Sequence, residues 1–187
     1  MSGHGHIDPS NKKIALLIAV LALILAFSET LAKSAQTSAL SYNIEASNLW
    51  AFFQAKTIRM TTVRTAAEAA ETELKQAGAA AKKEAVQERI ESWKNIAARY
   101  DSEPETQEGR KELSARAKIA EAKRTRAMAA YHHHEMASAA LQIAIVLASA
   151  EIITGVAALV WISGGLGIAG LAFSIIGYFA PMAVHLF

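Results

Sequence analysis

Three long apolar runs lie at the two ends of the chain, on either side of a charged middle stretch. Residues 14–27 carry no charge, residues 137–162 carry only Glu151, and residues 166–187 carry none. A helix rises 1.5 Å per residue, so about 20 apolar residues cross the hydrocarbon layer of a bilayer. The pattern predicts an all-α membrane protein. Its three transmembrane helices are expected at 14–33, 137–162 and 166–187.

The first apolar run also has features of a signal peptide. Lys12 and Lys13 precede it, as the basic residues of a leader do. Glu29 follows it directly, however, and no clean small-residue cleavage site is present. We therefore favour a span, with Glu29 and Lys33 forming an i, i+4 pair at the exit surface. Residues 1–13 have little apolar surface and are predicted to be a flexible tail.

The middle stretch, residues 56–136, holds most of the charged side chains. It is rich in alanine and has mixed charge, which favours long exposed helices with a thin apolar seam. Pro104 lies in the segment 101–109 and cannot continue a preceding helix. We therefore predict that a charged antiparallel helical hairpin, with coiled-coil character and its turn at 101–109, is inserted between spans 1 and 2.

Residues 34–55 carry little charge and end in a cluster of Trp50, Phe52 and Phe53. Tryptophan favours the boundary of water and lipid, so these residues either anchor an amphipathic helix at the membrane surface or form the core stripe of a helix. An unbroken helix from Lys33 to Tyr100 would be about twice as long as the return arm. Either 34–55 lies on the membrane or the helix breaks near Gly78; we favour the first alternative.

Small residues form one face of the third predicted span, after a tight turn at 163–165. Small side chains let membrane helices approach closely, so this face is expected to contact another span or another subunit. Homo-oligomer formation is the expectation that follows. The residues of the face are Gly164, Gly167, Gly170, Ser174 and Gly177.

Glu151 is the most informative single residue, because an ionisable group inside a span is costly. It has three interpretations: a protonated carboxyl group bonded to Ser149 or Thr154, a group lining an ion path, or one half of an ion pair. No Lys or Arg of this chain is expected at its depth. Glu29 is the other intramembrane polar candidate, although it lies nearer the surface.

Two histidine clusters are weak candidates for metal ligation. Consecutive helical residues point about 100° apart, so at most two of four neighbours can reach one ion. No metal or other cofactor is therefore expected. The weak candidates are His132, His133, His134 and Glu135, and in the tail His4, His6 and Asp8.

The remaining composition excludes several classes of function. The chain has no cysteine, so a thiolate metal site and a thiol nucleophile are both absent. Its charges nearly balance, with a net charge of +2, which argues against nucleic-acid binding. No catalytic motif is present, so no enzymatic activity is expected. Lysine and arginine near the ends of the hairpin favour its placement in the cytoplasm: Lys33, Lys123, Arg124 and Arg126.

The segment 48–59, NLWAFFQAKTIR, resembles an uncharacterised bacterial membrane family known as domain of unknown function 4337. The resemblance implies a multi-pass protein of the bacterial inner membrane, and it brings no activity. We predict a non-enzymatic, self-associating scaffold that presents its hairpin, where a protein partner could bind. The alternative is an ion or proton pathway component using Glu151. It rests on analogy with the layout of bacterial stator proteins.

Overall fold

The computed structural model describes residues 9–76 and 80–184. The described residues form four helices and no strand, which confirms the all-α prediction. The helices are α1 (Pro9–Gln76), α2 (Ala80–Asp101), α3 (Arg110–Thr154) and α4 (Ala158–Phe179). Of these, α1, α3 and α4 are long and apolar enough to cross a membrane.

Helix α1 runs without a break through regions that the sequence divides into three. Helix begins at Pro9, so residues 9–13 of the expected flexible tail are helical; residues 1–8 lie outside the described part. The expected boundary between a span at 14–33 and an interfacial helix at 34–55 is also absent. The physical reason is that no glycine or proline occurs between residues 10 and 76 to interrupt the hydrogen-bond ladder.

The turn between the last two apolar helices lies earlier than predicted. Helix α3 ends at Thr154, and Gly155 follows with a positive φ of 70°, the left-handed conformation that commonly ends a helix. Residues 163–165, predicted as the turn, lie inside α4. Within this part of α4, Ser163 is buried and donates a hydrogen bond to the Ala144 carbonyl of α3 at 2.7 Å. The predicted spans 137–162 and 166–187 are corrected accordingly.

The chain divides into two compact units. We call the part up to Leu40, together with Lys123 onward, the apolar unit, and Ser41–Ala122 the charged unit. In the apolar unit, α4 runs parallel to α1, since Leu21 meets Gly167 and Ser28 meets Ser174. Helix α3 runs antiparallel to α4, because Ser163 pairs with Ala144 whereas the later Gly177 meets His133.

In the charged unit, α2 and the start of α3 run in the same direction along α1. Lys94 of α2 contacts Glu71 of α1, and the later residue Arg110 of α3 contacts Thr57, which lies earlier on α1. Both α2 and the start of α3 are therefore antiparallel to α1, as these contacts require. The predicted reversal at 101–109 is wrong. Gly78, where a break was considered, lies outside the described part.

The junction 102–109 interrupts the helix without reversing it. Glu112, in the first turn of α3, accepts hydrogen bonds from the Ser102 hydroxyl at 2.7 Å and from the Glu103 backbone amide at 3.1 Å. Gly109 lies so close to Ser102 Cα that an added methyl group would approach it to 2.6 Å. The carboxylate at the helix start satisfies a backbone donor, so α3 begins directly after the junction.

Candidate functional site

A chain of polar side chains joins all three helices of the apolar unit. The hydroxyls of Ser28 on α1 and Ser174 on α4 hydrogen-bond at 3.0 Å. Ser174 Oγ also lies 3.4 Å from Nδ1 of His134 on α3. Ser28 and His134 are both buried. We call Ser28, Ser174 and His134 the polar seam. Polar groups satisfied between apolar helices hold them in one register.

Gly177 allows α4 to approach the two buried histidines of α3. A methyl group added at Gly177 would lie 2.9 Å from His133 Cβ and 3.2 Å from His134 Nε2. Gly170 and Gly167 make similarly close contacts with Leu141 and Leu21. Four of the five predicted small residues therefore pack, or hydrogen-bond, within the chain itself. Gly164 is the exception, since a methyl group there would meet nothing within 4 Å.

His133 holds the segment that follows α4. Its Nε2 lies 3.2 Å from the carbonyl oxygens of both Pro181 and Val184. Carbonyl oxygens only accept hydrogen bonds, so Nε2 must carry the proton. The other ring nitrogen, Nδ1, is buried and has no hydrogen-bond partner among the described residues. The ring therefore positions the backbone after α4.

The predicted metal ligands are not brought together. His132 lies 3.7 Å from Glu135, and the Tyr131 hydroxyl donates to the same carboxylate at 3.1 Å. His133 and His134 make the separate contacts described above. The described residues contain no group of three histidine, aspartate or glutamate side chains that could hold a metal ion. His4, His6 and Asp8 lie outside them.

Glu151 lies in the last turn of α3, not in the middle of a span. Its carbonyl accepts a hydrogen bond from the Gly155 amide at 2.7 Å. One carboxylate oxygen is buried and has no hydrogen-bond partner in the described part of the chain. The bonds expected from Ser149 and Thr154 do not form, because each hydroxyl donates to a carbonyl of α3 four residues earlier.

The helix register also changes the expected surroundings of Glu151. Ser28 of α1 contacts Ser174 of α4, a residue 146 positions later in the chain. Because α1 and α4 are parallel, the same spacing places Lys12 level with Ala158 at the start of α4. The basic residues of α1 and the end of α3 therefore lie at one end of the apolar unit. The expectation that no cation of this chain reaches the depth of Glu151 stays a prediction, since no ion pair of Glu151 is present among the described residues. Glu29 accepts a hydrogen bond from Gln142 at 3.1 Å.

Lys56 is the centre of the charged unit, and sequence reasoning missed it. Its side chain is only 8% exposed. The ammonium group lies over the rings of Phe52 and Tyr100, at 5.3 and 5.4 Å from their centroids. It also lies 3.9 Å from Glu103 and 3.7 Å from Glu108 of the junction. We call this arrangement the lysine cage. It neutralises the charge and contributes cation–π attraction.

Arg110 makes a second connection between α1 and the junction. Its guanidinium donates to Thr57 Oγ1 at 2.9 Å, lies over the Phe53 ring at 5.0 Å, and pairs with Asp101 at 3.3 Å. The hydrogen bond from Lys111 lowers the pKa of the Asp101 carboxyl, with further electrostatic help from Lys111 and Arg110. The hydrogen bond from Ser102 likewise lowers the pKa of Glu112. The junction is therefore held by ionised carboxylates.

The aromatic residues predicted as membrane anchors pack in the core of the charged unit. Trp50, Phe52 and Phe53 lie against a buried cluster that includes Leu49 and Leu113. The indole N–H of Trp50 donates to Glu121 at 2.8 Å. The structure thus supports the core-stripe alternative. The motif 48–59 could have revealed Lys56, since a lysine three or four residues after two aromatic residues shares their helix face.

A groove of about 400 Å³ lies between α1 and α2 in the charged unit. Its floor is formed by alanines, and its rim carries both signs of charge, including the pair of Lys94 and Glu71 at 2.5 Å. The lining residues are Arg64, Ala67, Glu68, Glu71, Lys94, Ala97 and Ala98.

A comparison with protein families gives one match. The family model described as domain of unknown function (DUF4337) matches residues 10–180, which confirms the resemblance noted in the sequence. Neither a curated protein nor a solved structure matches the chain.

Proposed function

The chain belongs to the family described as domain of unknown function (DUF4337), and we propose that it is a non-enzymatic, self-associating scaffold of the bacterial inner membrane. In this proposal α1, α3 and α4 cross the bilayer in the apolar unit. The charged unit is presented to the cytoplasm as an antiparallel coiled coil, where a protein partner can bind.

The observation that carries the proposal is that the charged unit has its own core, stabilised by the lysine cage. The inner positions of α1 recur at alternating intervals of three and four residues, which is the heptad pattern of a coiled coil. All are buried or half-buried: Ala46, Leu49, Phe53, Lys56, Met60, Val63 and Ala67. A separately packed helical module between apolar helices suits presentation to a partner.

The outer surface of the apolar unit supports membrane insertion. Large apolar side chains are exposed there, among them Leu16, Leu23 and Phe27 of α1 and Ile168 of α4. A soluble protein rarely exposes so many together, whereas hydrocarbon is a favourable environment for them. The ion-pathway alternative loses its main support, because Glu151 lies in the last turn of α3.

Cysteine labelling tests the proposed topology, since the chain has no native cysteine. We expect Ala157→Cys, between α3 and α4, to react with an impermeant maleimide in intact cells. Glu105→Cys, in the junction, should react only after permeabilisation. Both positions are exposed. Equal labelling of both in intact cells would overturn the topology, and extraction of the chain by alkaline carbonate would overturn membrane insertion.

A further inference from the structure

The five residues after α4 fold back onto α3, and we call residues 180–184 the strap. Pro181 has no backbone N–H and disfavours helical backbone at Ala180, so the chain leaves the helix there. Ala180 has a φ of −143°, and its carbonyl accepts a hydrogen bond from the Ala183 amide at 2.9 Å. Pro181 itself is buried, so the strap lies against the helices of the apolar unit.

One N–H group ties the strap to α3 in the described part of the chain. His133 Nε2 lies 3.2 Å from the carbonyl oxygens of both Pro181 and Val184. Carbonyl oxygens only accept hydrogen bonds, so a single ring N–H serves both of them. The position of the strap therefore depends on one imidazole.

The surroundings of His133 suit the neutral ring only. The residue is 1% exposed, and its Nδ1 has no hydrogen-bond partner among the described residues. The Phe173 ring lies 6.2 Å away, and the α4 backbone at Gly177 packs against His133 Cβ. A second proton, on Nδ1, would create a buried N–H without an acceptor and a buried charge, and both are costly. The closed strap therefore has no place for that proton.

The neighbouring titratable groups provide no counter-charge at the ring. In the described part of the chain, no carboxylate lies within ion-pair distance of His133. Glu135 pairs instead with His132, and Glu29 of α1 accepts a hydrogen bond from Gln142. Helix α4 and the strap have no charged residue. The titratable and charged groups nearest this level are His132, His134 and Glu135 on α3, Glu29 and Lys33 on α1, and Tyr178 on α4.

We propose that His133 and the strap form a proton-controlled latch, which is closed when the imidazole is neutral and opens when the ring binds a second proton. The inference goes beyond the proposed function and does not depend on self-association. In the proposed topology, the end of α4 lies on the cytoplasmic side, so the latch responds to cytoplasmic pH.

The size of the response follows from proton linkage. Opening lets the ring reach water, where imidazole has an ordinary pKa of about 6.5. The open state then binds one proton more than the closed state. The ratio of open to closed protein therefore rises by up to about tenfold for each pH unit below that value.

Distances between two spin labels on the full-length protein in detergent micelles test the latch. The chain has no native cysteine, so Ala183→Cys in the strap and Ile143→Cys on α3, both exposed, provide one labelled pair. An excess of unlabelled protein removes distances between copies. We expect one narrow distance distribution at pH 7.5. A second, broader distribution should gain about tenfold relative to the first between pH 6.5 and pH 5.

Substitutions assign the response to one ring. His133→Gln retains an amide N–H in place of Nε2 and cannot be charged, so the strap should stay closed at both pH values. His133→Phe retains a ring without a donor, so the strap should be open at both. His132→Gln and His134→Gln are matched controls on α3, and His185→Gln is a control at a residue outside the described part. All three should keep the pH response.

The pattern of results decides the proposal. A pH response in the wild type, a closed strap in His133→Gln and an open strap in His133→Phe would together support the latch. A wild-type distance that does not change between pH 7.5 and pH 5 would overturn it, whatever the variants do. A response that persists in His133→Gln, or that is lost in a control variant, would also overturn it. A monomeric wild type would remove the proposed self-association and leave the latch unaffected.

Discussion

The apolar and charged units hold their helices together by different means. In the apolar unit, side chains of neighbouring helices pack directly against the α4 backbone at three glycines: Gly167, Gly170 and Gly177. In the charged unit, aromatic rings and ion pairs surround Lys56 and Arg110. In the proposed membrane insertion, lipid offers no hydrophobic driving force between the helices of the apolar unit, and close packing replaces it. In water, larger side chains gain from burial.

The two units also differ in where polar groups contribute to stability. The apolar unit has few, and its polar seam connects one residue of each helix through Ser174. The charged unit concentrates its polar contacts at the junction 102–109, between the end of α2 and the start of α3. A substitution that disturbs close packing should therefore destabilise the apolar unit most. A substitution that removes a charge should destabilise the charged unit most.

Gly177→Ala should cause the largest loss of stability. Its methyl group would lie 2.9 Å from His133 Cβ, which forces a helix shift. We expect the free energy of unfolding to fall by about 2 to 3 kcal/mol, the typical cost of overpacking. The measurement is denaturation in mixed detergent micelles, followed by circular dichroism.

Gly164→Ala is the matched control for this prediction, because nothing lies within 4 Å of the added methyl group. Alanine favours helix over glycine, so this variant should be more stable by up to about 1 kcal/mol. Opposite signs at the two positions would establish tight packing as the cause. Equal effects would show that the close approach at Gly177 contributes nothing.

Lys56→Met should have the next largest effect, now in the charged unit. The substitution keeps the apolar stem but removes the cation from between two aromatic rings and the junction carboxylates of Glu103 and Glu108. We expect a loss of about 2 kcal/mol, less than for a fully buried pair because Glu108 is half exposed. Lys118→Met, at an exposed site, should be nearly neutral. The measurement is thermal unfolding of both variants.

Acid should weaken the charged unit at its junction. Hydrogen bonds from Lys111, Arg99 and Ser102 lower the pKa values of Asp101, Glu103 and Glu112 respectively. A lowered pKa contributes stability that is complete above the ordinary value, 3.8 for aspartate and 4.5 for glutamate, and is lost as pH falls through the folded value.

We therefore expect protease cleavage within 102–109 to accelerate below about pH 4.5, where the unfolded chain binds protons that the folded carboxylates do not. A protease active in acid, used at constant specific activity, would measure this. Glu112→Gln should raise cleavage at neutral pH and reduce its dependence on pH. Cleavage that does not change between pH 6 and pH 3 would contradict the role of the three carboxylates.

Much of the fold could be predicted because composition alone separates apolar from charged helices. The helix boundaries could not. Residues 163–165 contain two adjacent glycines and look like a turn, yet the single Gly155 ends α3. Glycine is tolerated inside a helix at a cost of about 1 kcal/mol relative to alanine, so its presence alone does not locate a turn. The packing of Ser163 against Ala144 of α3 is a tertiary contact that the local pattern does not reveal.

The same limit applies to the site residues. The small-residue face was predictable from spacing, but spacing cannot say whether its partner belongs to the same chain. The spacing of Lys56 from Phe52 could have marked this lysine, but its other partners, Tyr100 and Glu103, are more than 40 residues away and could not be foreseen. Pro104 correctly marked an interruption. The direction of the chain after it depends on contacts of Arg110 with α1, which local sequence does not reveal.

Glu151→Gln should have the smallest effect on stability. It tests whether removal of a charge matters in the apolar unit as it does in the charged unit. One carboxylate oxygen is buried without a hydrogen-bond partner among the described residues, so the amide would lose no hydrogen bond at that oxygen. We expect stability to change by less than about 0.5 kcal/mol, in contrast with Lys56→Met. A loss above about 2 kcal/mol would instead indicate that the charge is paired, with the basic start of α1 as the nearest candidate in register.

A proton flux in proteoliposomes that disappears with this substitution would restore the pathway hypothesis. Unchanged stability and unchanged permeability together would show that charge contributes to structure in one unit and not in the other.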